Sequence, residues 1–149
     1  MPAGTLPTIS ELVPHRGPMS LLDSVRRWEE GAITCEASIR PDHPFLDGGV
    51  VDVLVAVELV AQAVAAYAGQ RDRLAGKRPR IGFLVSCREA SFEVESLALG
   101  DTLTIEVQHV WGDDTLGSFK GRVLRAGALV ASVEVGVYGG PLDRMKEGV

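Results

Sequence analysis

The stretch that decides the fold is Val51–Ala68, which reads VDVLVAVELVAQAVAAYA. Only Asp52, Glu58 and Gln62 are polar in it, and the spacing predicts one helix over 52–68, ended by Gly69. A helix that is apolar nearly all round has to be surrounded by protein, and a sheet wrapped around it would do this. Asp52 is expected in the first turn, where a carboxylate meets exposed amides and the positive end of the dipole. Glu58 is expected in mid-helix among Val57, Leu59 and Ala61, where an unpaired buried carboxylate is costly. Gln62 lies four residues later on the same face, so the two form one short polar stripe. Either Glu58 joins a core network or meets an arginine such as Arg88, or it serves catalysis or binding. The stretch has about the minimum length of a bilayer span, but a mid-span Glu with Gln and the many β segments elsewhere argue against one.

Working outward, Pro41–Gly49 (PDHPFLDGG) is rich in turn formers and leads straight into the helix. Upstream, residues 8–14 predict a short lead-in helix stopped by Pro14. Runs at 19–28 and 32–40 predict two strands joined through Gly31. Downstream, residues 70–79 read as a solvated connection, followed by β signals at 80–87, 90–94, 101–111, 117–125 and 128–138. Strand, strand, one long helix and several strands predict an antiparallel sheet packed on a single helix, in the α+β class.

The 149 residues, 46% of them hydrophobic, suit one domain over 1–149. A formal charge of −5 with scattered arginines offers no basic stripe, so nucleic acid is not an expected partner. Cys35 and Cys87 sit in strand-like runs without metal-ligand spacing, and both are expected to be buried thiols. The first twelve residues lack the pattern of a secretory signal, so a cytoplasmic location is expected.

Of three histidines, His109 is expected on a solvated strand face and His15 in a turn it helps to organise. His43 stands apart, because its loop leads into the helix that carries Glu58. Imidazole titrates near neutrality, and a carboxyl group in an apolar site can serve as a general acid.

Four segments carry a resemblance: LVPHRGPMSLLD at 12–23, DHPF at 42–45, VELVAQ at 57–62 and IGFLV at 81–85. In this order and spacing they resemble the 3-hydroxyacyl-[acyl-carrier-protein] dehydratases of the hotdog superfamily, and more closely the branch associated with aryl polyene and related polyketide or fatty-acid pathways. The resemblance runs from about residue 12 to 138. It implies a curved antiparallel sheet around one long helix and edge-to-edge pairing of subunits. It also implies a site at the subunit boundary, where a histidine of one chain faces the helix acid of the other. Carried over by position, the histidine falls on His43 and the acid on Glu58, followed by Gln62. Backbone amides around Gly48, Gly49 and Val50 and at the helix start would hold the thioester carbonyl. The His43 loop departs from the housekeeping enzymes, which carry glycine before the histidine and Pro-Gly after it.

The implied reaction turns 3-hydroxyacyl thioesters into trans-2-enoyl thioesters, with His43 taking the C2 proton and Glu58 protonating the departing hydroxyl. The thioester itself acidifies C2, so no metal or organic cofactor is expected. The carrier would be acyl-carrier protein or coenzyme A, and the assembly a homodimer, a higher homo-oligomer, or a heterodimer with a related dehydratase. Phe83 and Leu84 are candidates to line the acyl tunnel. A hotdog acyl thioesterase and a non-catalytic partner subunit are the competing readings.

Overall fold

Alternating apolar and polar residues set most of the strands, and the inward set of each is what the single long helix covers. A computed structural model describes residues 6–13, 17–77, 82–113 and 115–139. The chain forms α1 (Ile9–Leu12), a 3₁₀ turn at Gly17–Met19, β1 (Ser24–Glu29), β2 (Ala32–Ser38), β3 (Val50–Asp52) and α2 (Val55–Leu74). Then follow β4 (Phe83–Phe92), β5 (Ser96–Ala98), β6 (Thr102–Gly112), β7 (Leu116–Arg125) and β8 (Ala128–Tyr138). Six strands build one antiparallel sheet in the order β1-β2-β6-β7-β8-β4, while β3 and β5 pair separately. This is the expected α+β arrangement of one long helix on a sheet.

Helix α2 packs chiefly against α1 and against β2, β6, β7 and β8 of the sheet. Its buried face carries Val55, Ala56, Leu59, Val60, Ala63, Val64, Ala66 and Tyr67. Facing it are Ile33 and Cys35 of β2, Leu103 and Ile105 of β6, Val123 of β7, and Val133 and Val135 of β8. Gly121 of β7 is the close approach: a Cβ there would lie 2.5 Å from Val60 Cγ1. Two hydrogen bonds tie the helix to the β1–β2 hairpin. Trp28 Nε1 donates to the Tyr67 carbonyl at 3.3 Å, and the Gly31 amide donates to the Tyr67 hydroxyl at 2.9 Å.

Several boundaries differ from the sequence reading, each for a tertiary reason. The helix starts three residues late because Val50–Asp52 is spent on pairing with β5. Asp52 therefore precedes the helix, and its carboxylate accepts the Leu54 amide at 2.9 Å. Nor does Gly69 end the helix; its hydrogen side lies against α1, where a Cβ would sit 2.4 Å from the Leu12 carbonyl oxygen. The next turn, expected to be solvated, buries Gln70 and Asp72 at 4% exposure each. The runs expected at 80–87 and 90–94 form the one strand β4 over the described residues, with register shifts at Leu84/Ser86 and Cys87/Glu89. No helix among the described residues is long and apolar enough to cross a membrane.

Candidate active site

Moving the helix start to Val55 changes the setting of Glu58, which now falls in the first turn. A carboxylate there faces the positive end of the helix dipole. Glu58 is half-buried on the one stripe of α2 that the sheet leaves open, between the exposed Leu54 and the partly covered Ala61 and Ala65. Its Oε1 accepts a hydrogen bond from Gln62 Nε2 at 3.0 Å. Gln62 is wholly buried and uses its other contacts on backbone. Its Nε2 also donates to the Met19 carbonyl at 2.8 Å, and its Oε1 accepts the Leu21 amide at 3.0 Å. The second polar residue of the stripe is thus a bracket that fixes the carboxylate to the segment entering β1. Arg88, considered as a charge partner for Glu58, lies exposed on β4 and makes no ion pair among the described residues.

His43 is buried, at 7% exposure, in a loop built from successive turns. Its amide donates to the Arg40 carbonyl at 3.0 Å and its carbonyl accepts the Leu46 amide at 3.1 Å. The imidazole Nδ1 accepts the Phe45 amide at 3.1 Å, and the Phe45 ring stands 5.9 Å away. Burial and the neighbouring Arg40 guanidinium hold the imidazole below its ordinary pKa, with Asp42 opposing them. Arg40 is itself pinned by the Ser20 carbonyl at 3.0 Å and by Asp23 at 3.5 Å. Among the described residues every hydrogen bond of His43 stays in its own loop, and none reaches Glu58.

Gly48 and Gly49 follow in an exposed turn with φ of 60° and 82°, a region open to glycine without strain. The Val50 amide is already engaged with the Asp47 carbonyl at 3.2 Å, which leaves the two glycine amides as the donors of that turn. Leu84 lies at the edge of the sheet opposite Val137, 45% exposed and outside the strands packed on α2. Phe83 pairs with Tyr138 through its backbone.

Other sequence expectations resolve as follows. Cys35 is buried, and desolvation pushes its thiol up to about 12. Cys87 is exposed, against expectation, because β4 is the end strand of the sheet and lies outside the strands packed chiefly on α2. His109 turns inward on β6 and packs on Phe119 at 5.0 Å instead of facing solvent. His15 lies outside the described residues. Sequence reasoning missed Arg40 and the Phe45 amide, since both reach His43 only through loop closure.

A six-stranded antiparallel sheet packed on one long helix, with Glu58 on the helix stripe that the sheet leaves open, defines a hotdog-fold protein. A family model described as ApeP-like, ApeP dehydratase, matches residues 7–147, and the chain belongs to that dehydratase family. Its function is accordingly the dehydration of 3-hydroxyacyl thioesters. The 3-hydroxyacyl-[acyl-carrier-protein] dehydratase FabZ of Staphylococcus carnosus is 30% identical over 134 residues, 85% of this chain and 89% of that one. FabZ of Clostridium perfringens is 28% identical over 132 residues, 85% of this chain and 92% of that one. Among solved structures, the dehydratase heterocomplex ApeI:P from Xenorhabdus doucetiae superposes with a TM-score of 0.90 at 22% identity, covering 96% of this chain and 97% of the other. Zebrafish thioesterase superfamily member 2 shares the fold at a TM-score of 0.66 and 17% identity, covering 89% and 93%.

Proposed function

We propose that Glu58 and His43 supply the proton-transfer and hydrogen-bonding groups of the dehydration, meeting across the boundary between two subunits. The observation that carries this is the carboxylate bracketed by Gln62 on the open stripe of an otherwise apolar helix. A carboxyl group held in place by a buried amide on an open stripe is preorganised to meet a substrate or a residue of a second subunit. His43 supports the reading from the other side, being buried and oriented by its own loop, with no hydrogen bond to its own Glu58 among the described residues. Loss of water across C2 and C3 needs one group to receive the C2 proton and another to steady the charge that develops on the thioester oxygen. The amides of Gly48 and Gly49, which follow in the same loop, would serve the second task.

The substrate in this reading is an acyl group on acyl-carrier protein, the carrier named in the FabZ relatives, with coenzyme A as the shorter surrogate. The working unit is a cytoplasmic dimer, formed either by two copies of this chain or by this chain with a related dehydratase. The ApeI:P heterocomplex, a protein of the same fold, supports the second option. The test presents 3-hydroxyacyl thioesters to the purified protein and follows enoyl absorbance and free thiol together. Enoyl product is expected without thiol, and a drop of about 10²-fold or more in His43→Ala and Glu58→Gln. Thiol release would make the protein a thioesterase, and full turnover in both variants would remove these residues from the site.

A further inference from the structure

We infer that Arg40 is a positioning residue of the dehydration site. Its backbone opens the turn that presents His43, and its guanidinium fastens that turn to residues 19–23, the segment that Gln62 fastens to the helix of Glu58. The inference rests on the reading that His43 and Glu58 serve one reaction, and it concerns how each chain places the two groups.

The turn begins in the backbone. Ile39 is held to the connection between β5 and β6, its amide donating to the Asp101 carbonyl at 2.9 Å and its carbonyl accepting the Gly100 amide at 2.8 Å. The Arg40 carbonyl then accepts the His43 amide at 3.0 Å, which closes a turn with Pro41 at its second position, where the fixed φ of proline fits. These bonds shape the turn but do not join it to residues 19–23. The Arg40 side chain does. Its Nη2 donates to the Ser20 carbonyl at 3.0 Å, Nη1 lies 3.5 Å from Asp23 Oδ1, and Nε lies 3.8 Å from Asp42 Oδ1. One planar group thus faces two residues of the segment and one of the turn, an arrangement that a lysine cannot reproduce.

The segment has need of such a partner. Residues 20–23 belong to no helix or strand, so their peptide groups must be satisfied elsewhere. Leu21 and Leu22 are buried at 2% and 3% exposure, which seats the segment in the core. The Met19 carbonyl and the Leu21 amide use Gln62, and the Ser20 carbonyl uses Arg40. The Asp23 amide donates to the Glu36 carbonyl at 2.8 Å. Two side chains, one from the helix and one from the His43 turn, therefore hold neighbouring carbonyls of one segment. Through Gln62, which also donates to Glu58, the connection from the carboxyl group to the histidine turn is continuous within the chain.

The side chains of Arg40 and Asp23 are 39% and 28% exposed, and ion pairs that open to water add little to stability. Placement and charge are what Arg40 offers instead. After burial, its guanidinium is the influence that keeps the His43 imidazole below its ordinary pKa, with Asp42 acting the other way.

The test uses the assembly that turns over 3-hydroxyacyl thioesters. Arg40→Gln is expected to lower kcat about 10- to 10²-fold, as displacement of a reacting group does, with KM within about twofold of wild type. It is also expected to raise the pH at which the His43 ring titrates, since Asp42 then acts on the ring without the guanidinium. The titration is followed through the imidazole C–H signals in ¹H–¹³C spectra, assigned by their loss in His43→Gln. Arg40→Lys keeps the charge and gives up the fork, so its titration is expected near that of wild type while its kcat falls by about tenfold. Arg26→Gln, which removes the same charge from an exposed pair with Glu36, should change neither quantity. Wild-type kcat in Arg40→Gln, or a lowered kcat with an unmoved His43 titration, would overturn the inference. Full turnover in Arg40→Lys would overturn the fastening and leave only a charge effect. Should Arg40→Gln fail to fold, Arg40→Lys decides by the same two readings. If His43→Ala and Glu58→Gln both keep full turnover, the dehydration site itself falls; if both are inactive while Arg40→Gln is fully active, only the role of Arg40 falls.

Discussion

Gln62 and Glu58 act as one unit. Gln62 is wholly buried and satisfies the Leu21 amide, the Met19 carbonyl and one carboxylate oxygen of Glu58. Gln62→Leu keeps the volume and leaves a buried amide and a carbonyl unpaired. The expected cost is about 2 kcal/mol of stability by denaturant titration, together with a kcat loss at unchanged KM as Glu58 loses its bracket. Unaltered kcat would mean that Glu58 is positioned by something else. His43 gives a pH signature with a definite sign. Its native pKa lies below 6.5, so on acidification the unfolded chain takes up a proton before the native one does. The stability due to the neutral ring is therefore complete above that pH and is lost as pH falls through 6.5 toward the native value. The Tm of His43→Gln should decline less than wild type over that window, and parallel curves would contradict burial of a neutral ring. The Cys35 thiol gives a further check: a thiol reagent is expected to modify it only after unfolding.

At the level of elements, the glycines that matter are those at close approaches inside regular structure. In isolation Gly69→Ala would favour the helix by about 1 kcal/mol. Here the new Cβ would meet the Leu12 carbonyl oxygen at 2.4 Å, and backbone gives way less readily than a side chain. A net loss of about 1–3 kcal/mol is expected, the usual cost of overpacking, read as a lower Tm. A rise in Tm would show that α1 does not hold its place on α2. The same contact explains what was legible in advance. The helix was readable because eighteen residues with three polar intrusions admit few other structures. Its end was not, since Gly69 reads as a terminator until α1 is seen lying against it. Its start was hidden in the same way, by a three-residue pairing with β5, a segment remote in sequence. Glu58 and His43 stood out as polar groups in apolar or turn-rich surroundings. The Phe45 amide that fixes the imidazole, and the Asp47 carbonyl that occupies Val50, carry no side-chain signal and emerge only once the loop is closed.

For the molecule as a whole, the unresolved demand of a single chain is strand β4. It is hydrogen-bonded to β8 on one side and stands at the end of the six-stranded sheet on the other. Ten residues make a long edge, and Leu84 and Val85 expose 45% and 43% of their surface along it. Opposite Val137 and Val135, Leu84 and Cys87 continue the inner face of the sheet past the strands on which α2 chiefly packs. A chain with its candidate carboxylate on an open helix stripe and an apolar edge left bare is expected to associate through that edge. Light scattering should give about 32 kDa, twice the 15.9 kDa of one chain. Leu84→Glu should shift the mass to that of one chain and lower turnover by at least tenfold with the far-ultraviolet spectrum unchanged. The turnover falls only if the site is shared between subunits, so a monomeric variant with full activity would show that one chain holds both groups. A wild-type protein that is monomeric alone and acquires activity with a related dehydratase chain would keep the shared site and exchange the homodimer for a heterodimer.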